Sequence, residues 1–186
     1  MSSTTTTTTT TTNTNLTTGT WAVDPAHSGV GFTVRHLGMS KVRGRFNDFE
    51  GTVEIADDLT TSSVEVAVQL ASVDTNNADR DGHLQVADFF DVESHPQMTF
   101  RSTEVTEEAL VGEITIKGIT RPIRFDLEFH GVSVDHYGMT RAGFSANSQI
   151  RRSDFGIDFN APFGLDGILL SDKVDIELEI QLVPQP

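Results

Sequence analysis

Residues 174–182 read VDIELEIQL, a strict alternation of apolar and polar side chains. Successive residues of a β-strand point to opposite faces, so this stretch predicts a strand with one apolar and one polar face. Three other stretches alternate in the same way: residues 30–34 (VGFTV), 64–70 (VEVAVQL) and 123–129 (IRFDLEF). Such a chain must bring its apolar faces together, and the pattern leaves open whether side chains alone fill the space that they enclose.

The rest of the chain adds further strand signals with short turns between them. Residues 42–55 are interpreted as one long strand that is bent or interrupted around Asn47 and Asp48, and residues 156–171 as a long loop before the last strand. We therefore expect an all-β domain of eight or nine antiparallel strands. A closed eight-stranded barrel and a β-sandwich both match this pattern.

One segment has a helical rather than an alternating period. Residues 77–91 read NADRDGHLQVADFFD, with Leu84, Ala87 and Phe90 three residues apart, which predicts an amphipathic helix. Asn77 or Asp79 is the candidate N-cap.

Length and charge limit the possible functions. The chain has 186 residues and a formal net charge of −14, and this charge opposes binding to nucleic acid and to anionic bilayers. It has no cysteine, which excludes thiol chemistry. Residues 1–19 are rich in threonine and nearly free of apolar groups, so we expect a disordered tail followed by one domain over residues 20–186. No export signal is recognised and no apolar run has the length of a membrane span, which predicts a cytoplasmic protein without stable membrane insertion.

His36 stands on the apolar side of its strand, with Val34 and Phe32 before it. It is therefore expected to point inward near the strand end. Either it is a histidine held at the barrel rim for structural reasons, or it is a polar contact for a ligand in an otherwise apolar container.

Two other groups combine charge with an apolar neighbourhood. Arg80, Asp81 and His83 begin the predicted helix and are followed by an apolar docking face, which favours an anchored carboxylate or imidazole over a solvated one. Arg152 shares the inward side of its strand with Phe144.

Other kinds of chemistry find no support in the sequence. Residues 154–156 read DFG, but the remaining motifs of a protein kinase are missing. The six histidines show no metal-ligand spacing, and no motif fixes a serine, a histidine and an aspartate as a nucleophilic triad. We expect neither a metal site nor catalytic residues.

Four segments together resemble the YceI-like family of lipid- and polyisoprenoid-binding proteins. They are WAVDPAHSGVGFTVRHLGMSKVRGRFNDFEG (21–51), RDGHLQVADFFDVESHPQMTF (80–100), GEITIKGITRPI (112–123) and RRSDFGI (151–157). The resemblance spans about residues 20–183 and implies a lipocalin-like antiparallel β-barrel of eight strands with one short helix near the opening. It thereby favours the barrel over the sandwich.

The resemblance also implies a ligand and a set of contacts. The expected ligand is a polyisoprenoid, such as a quinone or a prenyl lipid, held without any cofactor in a hydrophobic tunnel. Together with the inward parity, it gives these candidate ligand-binding residues: Phe32, Val34, His36, Arg80, His83, Phe89, Phe90, Phe125, Phe144 and Arg152. Relatives often pair, so a homodimer is expected as a possible assembly. Many relatives are exported, which this chain's tail does not match.

Two functions fit this interpretation. The first is non-enzymatic binding, storage or transport of an isoprenoid lipid. The alternative is an enzyme that acts on a bound lipid head group with His36 or His83 as general base. A diphosphate head would need an arginine cluster, for which Arg80, Arg151 and Arg152 are available, whereas a neutral head would avoid the negative charge of the protein.

Overall fold

The computed structural model describes residues 16–160, 162–163, 167–168 and 170–186. The predicted tail falls on residues 1–15, which lie outside the described residues, and on residues 16–19, which contact the barrel. Leu16 packs beside Trp21, the Thr17 carbonyl accepts a hydrogen bond from the Trp21 indole N–H at 3.0 Å, and the first strand begins at Gly19. Residues 16–19, which the sequence assigned to the tail, thus belong with the barrel.

Alternating apolar and polar residues form most of the secondary structure. The strands are β1 (Gly19–Val23), β2 (Gly29–His36), β3 (Ser40–Phe46), β4 (Phe49–Ile55), β5 (Ser63–Gln69), β6 (Val73–Asp74), β7 (Gln97–Val105), β8 (Ala109–Ile116), β9 (Ile119–Val134), β10 (Thr140–Arg151), β11 (Pro162–Phe163), β12 (Gly167–Ile168) and β13 (Leu170–Pro184), and the helix α1 is Ala78–Gln85. Single 3₁₀ turns lie at Pro25–His27, Leu59–Thr61, Leu70–Ser72 and Arg152–Phe155.

Eight strands close into an antiparallel barrel, as predicted. The order is β1-β4-β5-β7-β8-β9-β10-β13, and β13 closes the ring by pairing with β1. Only the C-terminal part of β13 pairs with β1. Residues Leu182–Pro184 pair with β1, whereas Leu170–Glu179 pair with β2, so β2 and β3 extend the wall at one end.

The predicted interruption of residues 42–55 is present and separates β3 from β4. The backbone N–H of Asn47 donates to the Ser72 carbonyl at 3.2 Å, and that of Asp48 donates to Ser72 Oγ at 3.0 Å. Because these two N–H groups donate to Ser72, they do not take part in strand pairing. The chain therefore turns at Asn47 and Asp48, and β3 and β4 run in different directions.

The helix is shorter than the predicted span of residues 77–91. Asn77 is the N-cap, since its side chain accepts from the Arg80 backbone N–H at 3.0 Å, but α1 ends at Gln85 and Val86 is extended. The following turns direct Phe89 into one core cluster and let Phe90 contact both that cluster and its neighbour. In a continued helix the side chains of Phe89 and Phe90 would point about 100° apart around the helix axis, and they could not make these contacts with the two clusters. No helix in the described ranges is long and apolar enough to cross a membrane.

The segment predicted as a loop, residues 156–171, also differs. It contains the short pair β11–β12, and the last strand already begins at Leu170. Side chains of residues 161–169 lie outside the described part.

The two ends of the barrel are distinct. One end, called here the helix end, carries α1, the β2–β3 turn and the 3₁₀ turn Arg152–Phe155. The opposite end, called the Trp21 end, is built around Trp21, which is 1% exposed and packs with Val53, Ala142 and Leu182.

Candidate functional site

An apolar cavity of about 1010 Å³ runs inside the barrel. Its wall includes inward residues of β2 and β13 that are only half-buried although they point away from the outer surface, among them Phe32, Val34, Ile176 and Leu178. Side chains in a filled core lose nearly all their accessible surface. The apolar faces of the strands therefore enclose a space that the side chains do not fill.

All ten residues chosen from the sequence as ligand contacts lie on the wall of this cavity: Phe32, Val34, His36, Arg80, His83, Phe89, Phe90, Phe125, Phe144 and Arg152. Their contribution to binding stays a prediction. Their surroundings divide them into apolar wall residues, imidazoles near the rim and arginines that hold the protein together.

Aromatic pairs narrow the cavity at two levels. Phe129 and Phe144 face each other across β9 and β10 with ring centroids 4.9 Å apart. Phe32 lies 5.5 Å from Phe46 toward the helix end. A ligand inside the barrel would meet aromatic faces at both levels.

His36 ends β2 on the cavity side, as its position in the alternation predicted. It pairs with Ser40 of β3 and Leu170 of β13, and its carbonyl accepts from Met39 N–H at 3.1 Å across the turn. Leu37 and Gly38 in that turn have φ values of 53° and 66°, which fix the tight connection. The imidazole thus lies at the rim of an apolar wall.

His83 projects from α1 between two aromatic rings. The centroid of its ring lies 5.0 Å from that of Phe89 and 5.3 Å from that of Phe159, and both contacts are edge to face. Its Nε2 lies 3.7 Å from Asp88 Oδ2. The sequence placed His83 and Phe89 at the site but missed Phe159, which lies in a stretch without periodicity and carries no signal of its own.

Arg80 and Asp81 join the helix to the wall through Thr75. The Arg80 Nε–H donates to Thr75 Oγ1 and its Nη2–H to the Thr75 carbonyl, both at 2.7 Å. Asp81 Oδ1 accepts from the Thr75 backbone N–H at 2.8 Å and from its hydroxyl at 2.6 Å. The anchoring role expected for Asp81 is therefore present, and its partner Thr75, buried on the cavity wall, was not predicted.

Arg152 is 8% exposed and points inward, as its strand parity predicted. Its guanidinium donates to four backbone carbonyls: Ser171 at 3.0 Å, Ile157 at 3.1 Å, Phe159 at 2.7 Å and Leu170 at 3.3 Å. Burial lowers the pKa of Arg152 from its usual value, and the nearby Asp172 and Asp158 oppose that shift. Four of the five N–H groups of the side chain are thus donated to these backbone oxygens, which leaves little capacity for a ligand.

The cavity reaches the Trp21 end as well. Its wall there includes Leu16 and Thr18, and its acidic lining residues are Asp57, Glu107, Glu108 and Glu128. Arg80, Arg152, His36 and His83 all lie at the helix end, so the two ends of the cavity differ in charge.

No group of three or more potential metal ligands occurs in the described ranges of the chain. The inner wall is built of carbon with few polar atoms, an arrangement that suits burial of a long apolar molecule with one polar end near the rim.

The chain is similar in sequence to known proteins over most of its length. A family model of the YceI-like domain matches residues 21–182. A UPF0312 protein of Staphylococcus epidermidis is 38% identical over 156 residues, which cover 83% of this chain and 91% of that protein.

Solved structures are similar over almost the whole chain. The Campylobacter jejuni YCEI protein has a TM-score of 0.69 and 32% identity, covering 88% of this chain and 96% of that one. A polyisoprenoid-binding domain from Saccharophagus degradans, implicated in plant cell wall breakdown, has a TM-score of 0.69 over 89% of this chain and 98% of that one. It is 14% identical, so it is similar in fold alone.

Proposed function

The chain belongs to the YceI-like family, and on that premise we propose that it binds a polyisoprenoid or a similar long-chain amphiphile inside the barrel. The observation that carries this proposal is the apolar cavity of about 1010 Å³, whose inward wall residues keep accessible surface. A space of this kind, at the upper end of the usual range for ligand sites, favours an apolar occupant over water.

Burial of the tail supplies the affinity. Each buried methylene contributes about 0.8 kcal/mol, so a five-carbon isoprenoid unit contributes roughly 3–4 kcal/mol before ordering costs. Several units inside the barrel are sufficient for tight binding without covalent chemistry.

The head group is proposed to rest at the helix end, near His36 and His83. A neutral head, such as a quinone, is favoured over a diphosphate for two reasons. Arg152 donates four N–H groups to backbone carbonyls and Arg80 donates two to Thr75, so neither guanidinium is free to bind a diphosphate with all its donors. The carboxylates at the Trp21 end would repel an anionic head from the other side.

Storage or transport of the lipid, rather than catalysis on it, is the proposed role. The rival enzyme would need His36 or His83 as a general base. The carboxylate beside His83 is that of Asp88, 3.7 Å from Nε2, and both side chains are about half exposed, which favours a solvated ion pair over an oriented base. A cytoplasmic location and assembly into a homodimer stay predictions.

The direct test is extraction of the purified protein with organic solvent, followed by mass spectrometry of the lipid before and after incubation. We expect a bound polyprenyl lipid that is unchanged with time. A chemically altered lipid would favour the enzyme.

A matched pair of variants links any bound lipid to the cavity. Leu178 points inward, opposite Val30 and Ala146, whereas Glu177 is the next residue and is exposed on the outer face. Leu178→Trp should fill the cavity and reduce the bound lipid at least tenfold, because the indole occupies the path of the tail. Glu177→Trp should retain the lipid, and equal loading of both variants would contradict binding in the cavity.

Head-group preference is tested by isothermal titration of the delipidated protein. A prenyl quinone and a prenyl diphosphate of equal tail length are compared. Tighter binding of the quinone is expected, and tighter binding of the diphosphate would overturn the neutral head.

A further inference from the structure

Cationic side chains are concentrated on the outer surface of the helix end. Four of the 13 lysine and arginine residues fall between positions 35 and 45, on β2 and β3. Arg35 lies directly opposite Lys41, and on the next two strands Lys173 lies directly opposite Arg151. Lys173 belongs, with Ser171 and Asp172, to the irregular stretch of β13 between the pairs Val174–Val34 and Leu170–His36, and this stretch lies opposite Arg35.

These four residues, Lys41, Arg35, Lys173 and Arg151, are named the basic row. They cross the neighbouring strands β3, β2, β13 and β10 in that order, and all four side chains are exposed. Arg43 adds a fifth exposed cation one step along β3, opposite Thr33.

In the described part of the chain, the basic row is not paired with carboxylates as several other exposed cations are. Among the described residues, the ion pairs with carboxylates involve other cations, such as Arg45 with Asp74 at 3.3 Å, and none involves a member of the row. Asp172 opposes the charge of the row in part, since it interacts with Arg151 and Arg152, and it accepts hydrogen bonds from Ser153. Like charges placed directly opposite on paired strands destabilise a sheet, so this arrangement stores repulsion that an anionic surface would relieve.

Below the row, the sign of the charge reverses on the same face. Along β13 the next exposed residues are Asp175, Glu177 and Glu179, one every second position. Their influence at the row is reduced by salt, because the Debye length is about 8 Å at physiological ionic strength. The net charge of −14 therefore hides a local cationic end, and the separation orients the molecule in an electric field.

The row lies next to the rim of the cavity. Arg35 precedes His36, which faces the cavity from the same strand. The turn that follows, with Leu37 and Gly38 at positive φ, exposes Met39, which is 77% accessible. An apolar tip beside a row of cations is the combination by which proteins settle on an anionic lipid surface.

We infer that the basic row and Met39 form a docking surface for the anionic headgroups of a lipid bilayer, which brings the helix end of the cavity against the membrane. This inference rests on the proposed function, because a cavity that holds a lipid tail needs access to the bilayer from which the lipid comes. A lipid surface is favoured over an acidic protein because the cations form an open row beside an exposed apolar side chain rather than a pocket.

The test is flotation of the full chain with vesicles at low ionic strength. Vesicles of phosphatidylcholine alone are compared with vesicles that contain about one third phosphatidylglycerol. Binding to the anionic vesicles only, and its loss at high salt, are expected. Absence of binding to the anionic vesicles would overturn the inference.

Two double variants of equal charge separate the row from the overall charge. Arg35→Gln/Lys41→Gln removes two cations from the row and should weaken vesicle binding about tenfold or more. Arg101→Gln/Arg124→Gln removes two exposed cations from β7 and β9, where each lies beside a carboxylate, and should change binding less than twofold. Equal effects of the two double variants would overturn the inference, as would row-dependent binding to polyglutamate without binding to vesicles.

Loading with a soluble short-chain prenyl quinone is measured on the same proteins. All of them should bind it equally, since no substituted residue lines the cavity. Loading without vesicle binding would refute the docking surface and leave the proposed function intact. Vesicle binding without loading would refute the proposed function instead.

Discussion

The ring of Phe32 covers Gly44, the residue directly opposite it on β3. A Cβ atom added at Gly44 would overlap the end of that ring, so no residue larger than glycine fits while Phe32 keeps its position. Phe32 also contacts Phe46, two residues further along β3, and it forms part of the cavity wall. The absence of one side chain thus sets where an aromatic wall residue lies.

Gly44→Ala should push the Phe32 ring into the cavity. Overpacking of this kind costs about 1–3 kcal/mol of unfolding free energy, and the displaced ring should weaken binding of a prenyl ligand. Urea denaturation and ligand titration measure the two effects. Gly29→Ala is the matched control, because a Cβ at Gly29 on the adjacent strand meets nothing within 4 Å. Equal stability of the two variants would contradict this account.

Arg152→Met should destabilise the domain by about 2–4 kcal/mol, because the carbonyls of Ile157, Phe159 and Ser171 lose the guanidinium donor, whereas the Leu170 carbonyl keeps Asn160 Nδ2–H at 2.9 Å. Lysine should not restore stability, since a single ammonium group cannot reach the same four oxygens. Urea denaturation measures the loss, and limited proteolysis between residues 157 and 171 reports its location. Arg151→Met, one residue earlier and exposed, should cost less than about 0.5 kcal/mol.

Asp24 should make stability depend on pH. Burial alone would raise the pKa of Asp24, but hydrogen bonds from Arg141, His27 and the Ala26 N–H hold it below the usual value. Because the folded-state pKa is the lower one, the contribution of Asp24 is fully present well above the unfolded pKa of about 3.9 and is lost as pH falls through the folded value.

The difference in unfolding free energy between the wild type and Asp24→Asn should therefore be largest near neutral pH and shrink as the solution is acidified below about pH 4. Arg141→Met should weaken the same pH dependence, since Arg141 also donates to Asp135 and holds the pKa of that carboxyl down. Urea denaturation at a series of pH values gives both differences. A difference that does not vary with pH would remove Asp24 from the explanation.

Asp81→Ala should loosen α1 from the wall. The carboxylate accepts two hydrogen bonds from Thr75, and loss of a charged acceptor costs about 1.5–3 kcal/mol. Hydrogen exchange of the amides in Ala78–Gln85 should accelerate more than exchange in β8. Asp79→Ala, in the same helical turn but without such a bond, is the control, and similar exchange in both variants would show that Thr75 does not fix the helix.

Much of the barrel could be predicted from the alternation because one parity of each strand had to be buried. The inward positions of His36 and Arg152 followed from that rule alone. The choice of barrel over sandwich did not, since it depends on the pairing of β13 with β1, two segments at opposite ends of the chain. Their side chains alternate equally well in either architecture.

The partners of the charged residues were less accessible to prediction. Arg152 donates only to backbone carbonyls, and every residue carries such an oxygen, so no sequence pattern marks them. The early end of α1 has a similar origin. Local spacing favoured a longer helix. In the structure α1 ends at Gln85, and the turns that follow let Phe89 pack in one core cluster and Phe90 contact two.

The pairing of Trp21 with Pro184 brings the two ends of the domain together at the Trp21 end, far from the basic row. A fluorescent label attached at Thr17 or Gln185 would therefore begin on the side opposite the β2–β3 turn. Such labels should leave the helix end unobstructed, and a short linker between residues 16 and 186 should permit circular permutation of the domain with new ends in an outer turn.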